Sequence, residues 1–143
     1  MALDGGGGGG GGPVGVSNSF TGAAEALELI GDHAYGASGL VSAGAVQGTP
    51  DTLLSFTTGN YYFVGIVQFY YATDSGSDDY VYSVKLNGNT VIRYLVAGAT
   101  TTYWHDNQII IPPYTEVICD ATNVSASTAL DQAALMTGRI YRG

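Results

Sequence analysis

The side chains of this 143-residue sequence that could do chemistry are few, and they are scattered. His33 and His105 are the only histidines, and each has a carboxylate beside it, as Asp32-His33 and Trp104-His105-Asp106. A histidine beside a carboxylate suits a general base or one arm of a metal site, but a zinc site needs three or four ligands. No spacing indicates a third ligand, so both residues read as ordinary hydrogen-bonded loop histidines. Serines are plentiful, yet none sits in a Gly-x-Ser-x-Gly elbow. Asp74-Ser-Gly-Ser-Asp78-Asp79 has the composition of a calcium loop but lacks the ordered spacing and distal glutamate of an EF-hand. It reads as a solvated connection between strands, with weak calcium binding as the alternative. Cys119 is the only cysteine, which leaves no intrachain disulfide and no zinc site built on paired cysteines. Alternating with Val117 and Ala121, it reads as a small core residue. The expectation is therefore a protein without catalytic residues, metal or cofactor, and not an enzyme.

Recognition chemistry is better represented. Eight consecutive glycines, Gly5 to Gly12, follow Met1-Ala-Leu3-Asp4 and precede Pro13. Such a run cannot hold a helix or strand alone, because each glycine loses the most backbone entropy on ordering and buries no side chain. It contains Gly-x-Gly-x-x-Gly by repetition only, with no strand before it and no helix after it, so it is no dinucleotide fingerprint. A backbone without Cβ atoms can instead thread a narrow groove or lie flat on another surface. On that reading Leu3, Pro13, Val14 and Val16 are apolar anchors on either side of the Gly5 to Gly12 run, and the arm binds an adjacent subunit. Eleven tyrosines form the second reservoir. Tyr61, Tyr62, Tyr70, Tyr71, Tyr80 and Tyr82 fall on strands, where aromatic pairs are normal sheet chemistry. Tyr103, Trp104 and Tyr114 fall in or beside loops, where they can pack on their own domain, anchor a subunit interface or stack on a sugar.

The elements that must position these residues are short strands separated by turn signals. Residues 1–18 form the glycine-rich arm and residues 19–143 one domain. Glu25 to Ile30 alternates partly and stops at Gly31-Asp32. The Gly/Ala/Ser-rich piece from Tyr35 to Gly48 can hold one strand, around Leu40-Val41. Thr52 to Thr57 is a clearer strand, and Tyr61 to Tyr71, apolar on both faces, is the longest. Tyr80 to Leu86 and Asn89 to Val96 are joined by Asn87-Gly88, a favoured type I′ hairpin pair, with Tyr80, Tyr82, Val84 and Leu86 on one face. Residues 97–107 read as a long polar loop. Gln108 to Ile111 is a short strand ended by Pro112-Pro113, followed by strands over Thr115 to Ala121 and Ala133 to Tyr141. About eight strands at this spacing predict an all-β fold, an antiparallel two-sheet sandwich of jelly-roll-like order.

Composition narrows the partners. With 12 acidic and 4 basic residues the net charge is −8, and only Lys85, Arg93, Arg139 and Arg142 could neutralise phosphates, which argues against nucleic acid. No stretch approaches the ~18 apolar residues of a membrane helix, and no basic region followed by an apolar core marks a signal peptide. Low charge with abundant tyrosine suits an interface core.

Three phrases, Ile30-Gly-Asp-His-Ala-Tyr35, Ile109-Ile-Ile-Pro-Pro-Tyr-Thr-Glu-Val117 and Thr137-Gly-Arg-Ile-Tyr141, with Lys85-Leu-Asn-Gly88 between them, resemble a group of small structural proteins of marine tailed bacteriophages. The resemblance covers about residues 25–143, and its motifs are structural punctuation. The glycine arm departs from it. It implies a capsid decoration (cement) protein that binds the major capsid protein on the virion surface, is assembled in the host cytoplasm and is often a homotrimer. Two other roles stay open: the glycan-binding head of a tail fibre or spike, and a jelly-roll capsid shell subunit.

Overall fold

Asn87 and Gly88 adopt left-handed φ angles of 50° and 82°, the pair that a type I′ turn requires. The computed structural model describes residues 27–72, 78–97 and 104–142. Among them are ten strands: β1 (Glu28–Ile30), β2 (His33–Ala37), β3 (Val41–Ala43), β4 (Asp51–Thr57), β5 (Tyr62–Ala72), β6 (Tyr80–Leu86), β7 (Asn89–Val96), β8 (Trp104–Ile111), β9 (Glu116–Asn123) and β10 (Leu130–Tyr141).

Their pairing is nested. β6 pairs with β7 across the turn, then β5 with β8, β4 with β9 and β2 with β10, all antiparallel. This long two-stranded ribbon rolls up so that β10 also meets β5 and β9 also meets β6. Two sheets result. The larger runs β1-β2-β10-β5-β8, with β3 also on β10, and the smaller runs β4-β9-β6-β7. That order, with β6–β7 as the one hairpin inside the smaller sheet, is the double Greek key of a jelly roll.

The core lies between the sheets and follows the two-residue period of a strand. Phe63, Val67 and Phe69 of β5 and Met136 and Ile140 of β10 face Leu54, Phe56, Tyr82, Val84, Val117 and Cys119, all essentially without solvent exposure. Phe69 stacks on Tyr82 with ring centroids 4.8 Å apart, and Tyr94 closes on Tyr82 at 5.7 Å. A register shift between Thr52 and Leu54 lets Leu53 and Leu54 both turn inward. The buried Tyr80 hydroxyl donates to the carbonyl oxygens of Ala43 (2.9 Å) and Thr128 (3.1 Å) at the end of the sandwich opposite the Asn87-Gly88 turn.

Several sequence expectations need correction. His33 is not in a loop: it opens β2, which pairs with both β1 and β10. Trp104 and His105 are not in a polar loop either, because β8 begins at Trp104 and pairs it with Tyr70. The Gly/Ala/Ser-rich piece carries most of β2 and all of β3, where one strand was expected, so ten strands replace about eight. Cys119 is the small core residue expected. The arm, residues 1–18, lies outside the described residues, as do Tyr103 and residues 74–77 of the acidic loop.

Candidate functional site

On both sheets the outer face mixes polar and exposed apolar side chains, Val91 and Leu95 among the latter on the smaller sheet. On the smaller sheet, Ser83, Lys85 and Asp120 form a polar cluster. The Ser83 hydroxyl donates to Asp120 Oδ1, while Lys85 Nζ stands 3.3 Å from Oδ2 of the same buried carboxylate. Ser83 and Asp120 are directly paired, so the cluster ties β6 to β9, with Arg93 of β7 opposite Ser83.

The outer face of the larger sheet carries exposed apolar side chains among polar ones. Register builds it in rows across the strands. Ile30, His33, Arg139, Val64 and Ile110 make one row. Glu28, Tyr35, Thr137, Ile66 and Gln108 make the next. In the first row Ile30 is 70 % exposed and Ile110 62 %. At the β5/β10 end of this face, Tyr62 and Tyr141 are directly paired, both about half exposed. Five strands at about 4.8 Å spacing make the patch roughly 24 Å wide, and two rows give it on the order of 400 Å². A patch of about that size falls within the range of the largest apolar patch on a monomer.

Between the two rows runs a trough. It comprises two depressions of about 590 and 650 Å³ that share Gly65 and Ile66. Its floor is backbone, because Gly65 and Gly138 are paired in the middle of it. Both glycines are dictated by the core beneath. A Cβ on Gly65 would stand 2.7 Å from Phe63 Cζ, and one on Gly138 would stand 2.9 Å from the same atom. The Phe63 ring therefore lies over the glycine pair from inside, and the sheet is one bare backbone thick at the trough.

The cations at its rim are partly neutralised. Arg139 lies 3.9 Å from Asp32 and 3.5 Å from His33 Nε2, and Arg142 reaches Asp32 at 3.5 Å. The positions of His33 on β2 and His105 on β8 are separated by β10 and β5. Among the described residues, no group of three or more His, Cys, Asp or Glu side chains is gathered as a metal would require. Asp78, the described end of the acidic loop, accepts a hydrogen bond from Asn123 Nδ2 at 2.9 Å.

Of the expected aromatic contacts, Tyr114 stands out. It is 68 % exposed and holds a φ of 53°, a left-handed conformation that is rare for a bulky residue. The surrounding turn imposes it. Tyr114 N donates to Gly59 O (3.0 Å), and the buried Thr58 side chain bridges Pro112 O and Thr115 N at 2.8 Å each. An aromatic ring is thus held out from a fixed turn at the same end as Tyr62 and Tyr141. The rows themselves were missed in the sequence. Their signal was the second apolar face of the Tyr61 to Tyr71 segment, which read as burial inside a sheet. No family model matches this chain, and no curated protein does.

Proposed function

We propose that this chain is a virion structural protein of the decoration (cement) type, which seats on the outer lattice of a tailed-phage capsid and associates with copies of itself as a trimer. The observation that carries this reading is the exposed apolar row on the outer face of the β1-β2-β10-β5-β8 sheet. A fold that leaves Ile30, Val64 and Ile110 exposed together in one row has a surface suited to burial in an assembly. The resemblance at residues 30–35, 85–88, 109–117 and 137–141 supports the virion setting. The mechanism needs no reaction. Each copy adds buried interface across the joints of the shell, and anything that binds only the assembled state stabilises it by mass action. The major capsid protein is the partner, and the arm, with Leu3, Pro13, Val14 and Val16 as anchors, extends the contact beyond the domain.

The test is electron microscopy of phage particles labelled with an antibody to this chain. Label over the whole head is the expected result, together with closed but less heat-stable shells in particles lacking the protein. Label confined to the tail tip would overturn the reading in favour of a glycan-binding head. Shells that fail to close without the protein would make it the shell subunit instead.

A further inference from the structure

We infer that a depression on the outer face of the smaller sheet is a binding site for a hydroxylated monocarboxylate, with a uronic acid as the type case. The depression has a volume of about 340 Å³ and spans β6, β7 and β9, with Gly48 and Pro50 on one side. That is the small end of the range for ligand pockets.

Its floor is buried although it faces outward. On an open sheet face Ser83 and Asp120 would be solvated, yet they are 7 % and 3 % exposed, and Val81 beside them is buried too. The side formed by Gly48 and Pro50 is held by hydrogen bonds. Gly48 N donates to Asn123 O at 2.8 Å, and Gln47 donates from N to Ser127 Oγ and from Nε2 to Val124 O, both at 3.0 Å. The fold itself therefore sets the shape.

Charge selects the ligand. Lys85 and Arg93, two of the four basic residues of a chain with net charge −8, line this one depression. Lys85 Nζ stands 3.3 Å from Asp120 Oδ2, whereas Arg93 is exposed and has no carboxylate partner among the described residues. With Asp120 ionised, one positive charge is left over. It sits on a planar guanidinium, whose fork matches a carboxylate through two parallel hydrogen bonds. Asp120 sets the second requirement. Its Oδ1 accepts from Ser83 and its Oδ2 faces Lys85, so a carboxylate with about four acceptor positions can take a further hydroxyl donor. A sulfate dianion has no hydrogen to give and is repelled by that carboxylate. A molecule with one carboxylate and neighbouring hydroxyls satisfies both groups, its carboxylate on Arg93 and a hydroxyl on Asp120. Thr90 and Thr122 add hydroxyls that donate or accept, and Val81 and Val124 offer apolar contact to its C–H face. The site lies on the other sheet from the row of Ile30, Val64 and Ile110, so it can fail while head labelling succeeds, and the reverse.

Titration of the full-length, isotope-labelled protein followed by NMR tests the inference. D-glucuronate is the probe, with D-glucose, acetate and sulfate as controls at constant ionic strength. Glucuronate is expected to shift the backbone amide resonances of Ser83, Arg93 and Thr122 saturably. Glucose, which lacks the carboxylate, and acetate, which lacks the hydroxyls, should each bind at least about tenfold more weakly, the loss expected of one missing charge-assisted contact. No saturable shift with glucuronate would overturn the site. Acetate or sulfate binding as tightly as glucuronate would reduce it to an adventitious ion only, and glucose binding as tightly would leave charge no part in recognition. Either result overturns the assignment. Arg93→Gln is expected to weaken glucuronate about tenfold with an unchanged melting temperature, because Arg93 pairs with no carboxylate among the described residues. Undiminished binding by this variant would equally overturn the assignment.

Discussion

At the scale of single residues, the glycine pair Gly65 and Gly138 connects core to surface. A Cβ on Gly65 would lie 2.1 Å from Thr137 O, a backbone atom that cannot swing aside. Gly65→Ala is expected to destabilise the domain by about 2 kcal/mol, within the range for overpacking, as read from urea denaturation. A loss below a few tenths of a kcal/mol would mean that the strands part freely there. The buried tyrosines give a pH prediction. Burial pushes the Tyr80 phenol above its ordinary value of 10.0, against a weaker lowering by the Asn123 hydrogen bond. Tyr61 is raised in the same way, chiefly by burial. A folded-state pKa above the unfolded one means that the stabilisation is complete below pH 10 and is lost as pH rises through the folded value. Unfolding free energy should therefore be insensitive to these groups up to that pH and decline beyond it, while Tyr80→Phe flattens the decline. The phenolate absorbance that distinguishes the parent chain from Tyr80→Phe should appear only together with unfolding.

At the scale of elements, the β6–β7 hairpin is the centre of the nested ribbon, and its turn is doubly held. Asn87 N donates to Glu116 O, and Glu116 N donates to Asn87 Oδ1, both at 2.9 Å, which fixes the turn onto β9. Gly88→Val places a β-branched residue at a φ of 82°. Because every other pairing lies farther out along the ribbon, this variant is expected to slow refolding severalfold and change the unfolding rate less. Equal effects on both rates would contradict a turn-first order. This hairpin was legible in the sequence because Asn-Gly and the alternation of Tyr80, Tyr82 and Val84 report local geometry. The long strand β5 was legible from its apolar length. β2 was not: His33-Ala-Tyr-Gly-Ala37 has almost no β-branched content, and it is a strand because β10 pairs with it over five residues. The start of β8, ahead of Gln108, was hidden for the same reason, its polar Asp106 and Asn107 being held by pairing with β5. Strand pairing between distant segments overrode local preference in both cases.

At the scale of the whole molecule, the larger sheet leaves a row of exposed apolar side chains on its outer face. The jelly-roll order makes this possible, because the larger sheet is covered on its inner side by β4-β9-β6-β7 and on its outer side by nothing in the same chain among the described residues. The exposed apolar residues were half legible. Tyr114 was visible as an aromatic beside Pro112-Pro113, whereas the row Ile30, Val64, Ile110 draws on three distant segments and exists only once the strands are in register. The central claim is that this face is buried between copies. Light-scattering mass of the full chain at micromolar concentration, compared with that of Ile110→Lys, tests it most directly. The account predicts about three times 14.7 kDa for the full chain, and 14.7 kDa with an unchanged melting temperature for the variant. A full chain that weighs 14.7 kDa at every concentration would contradict it.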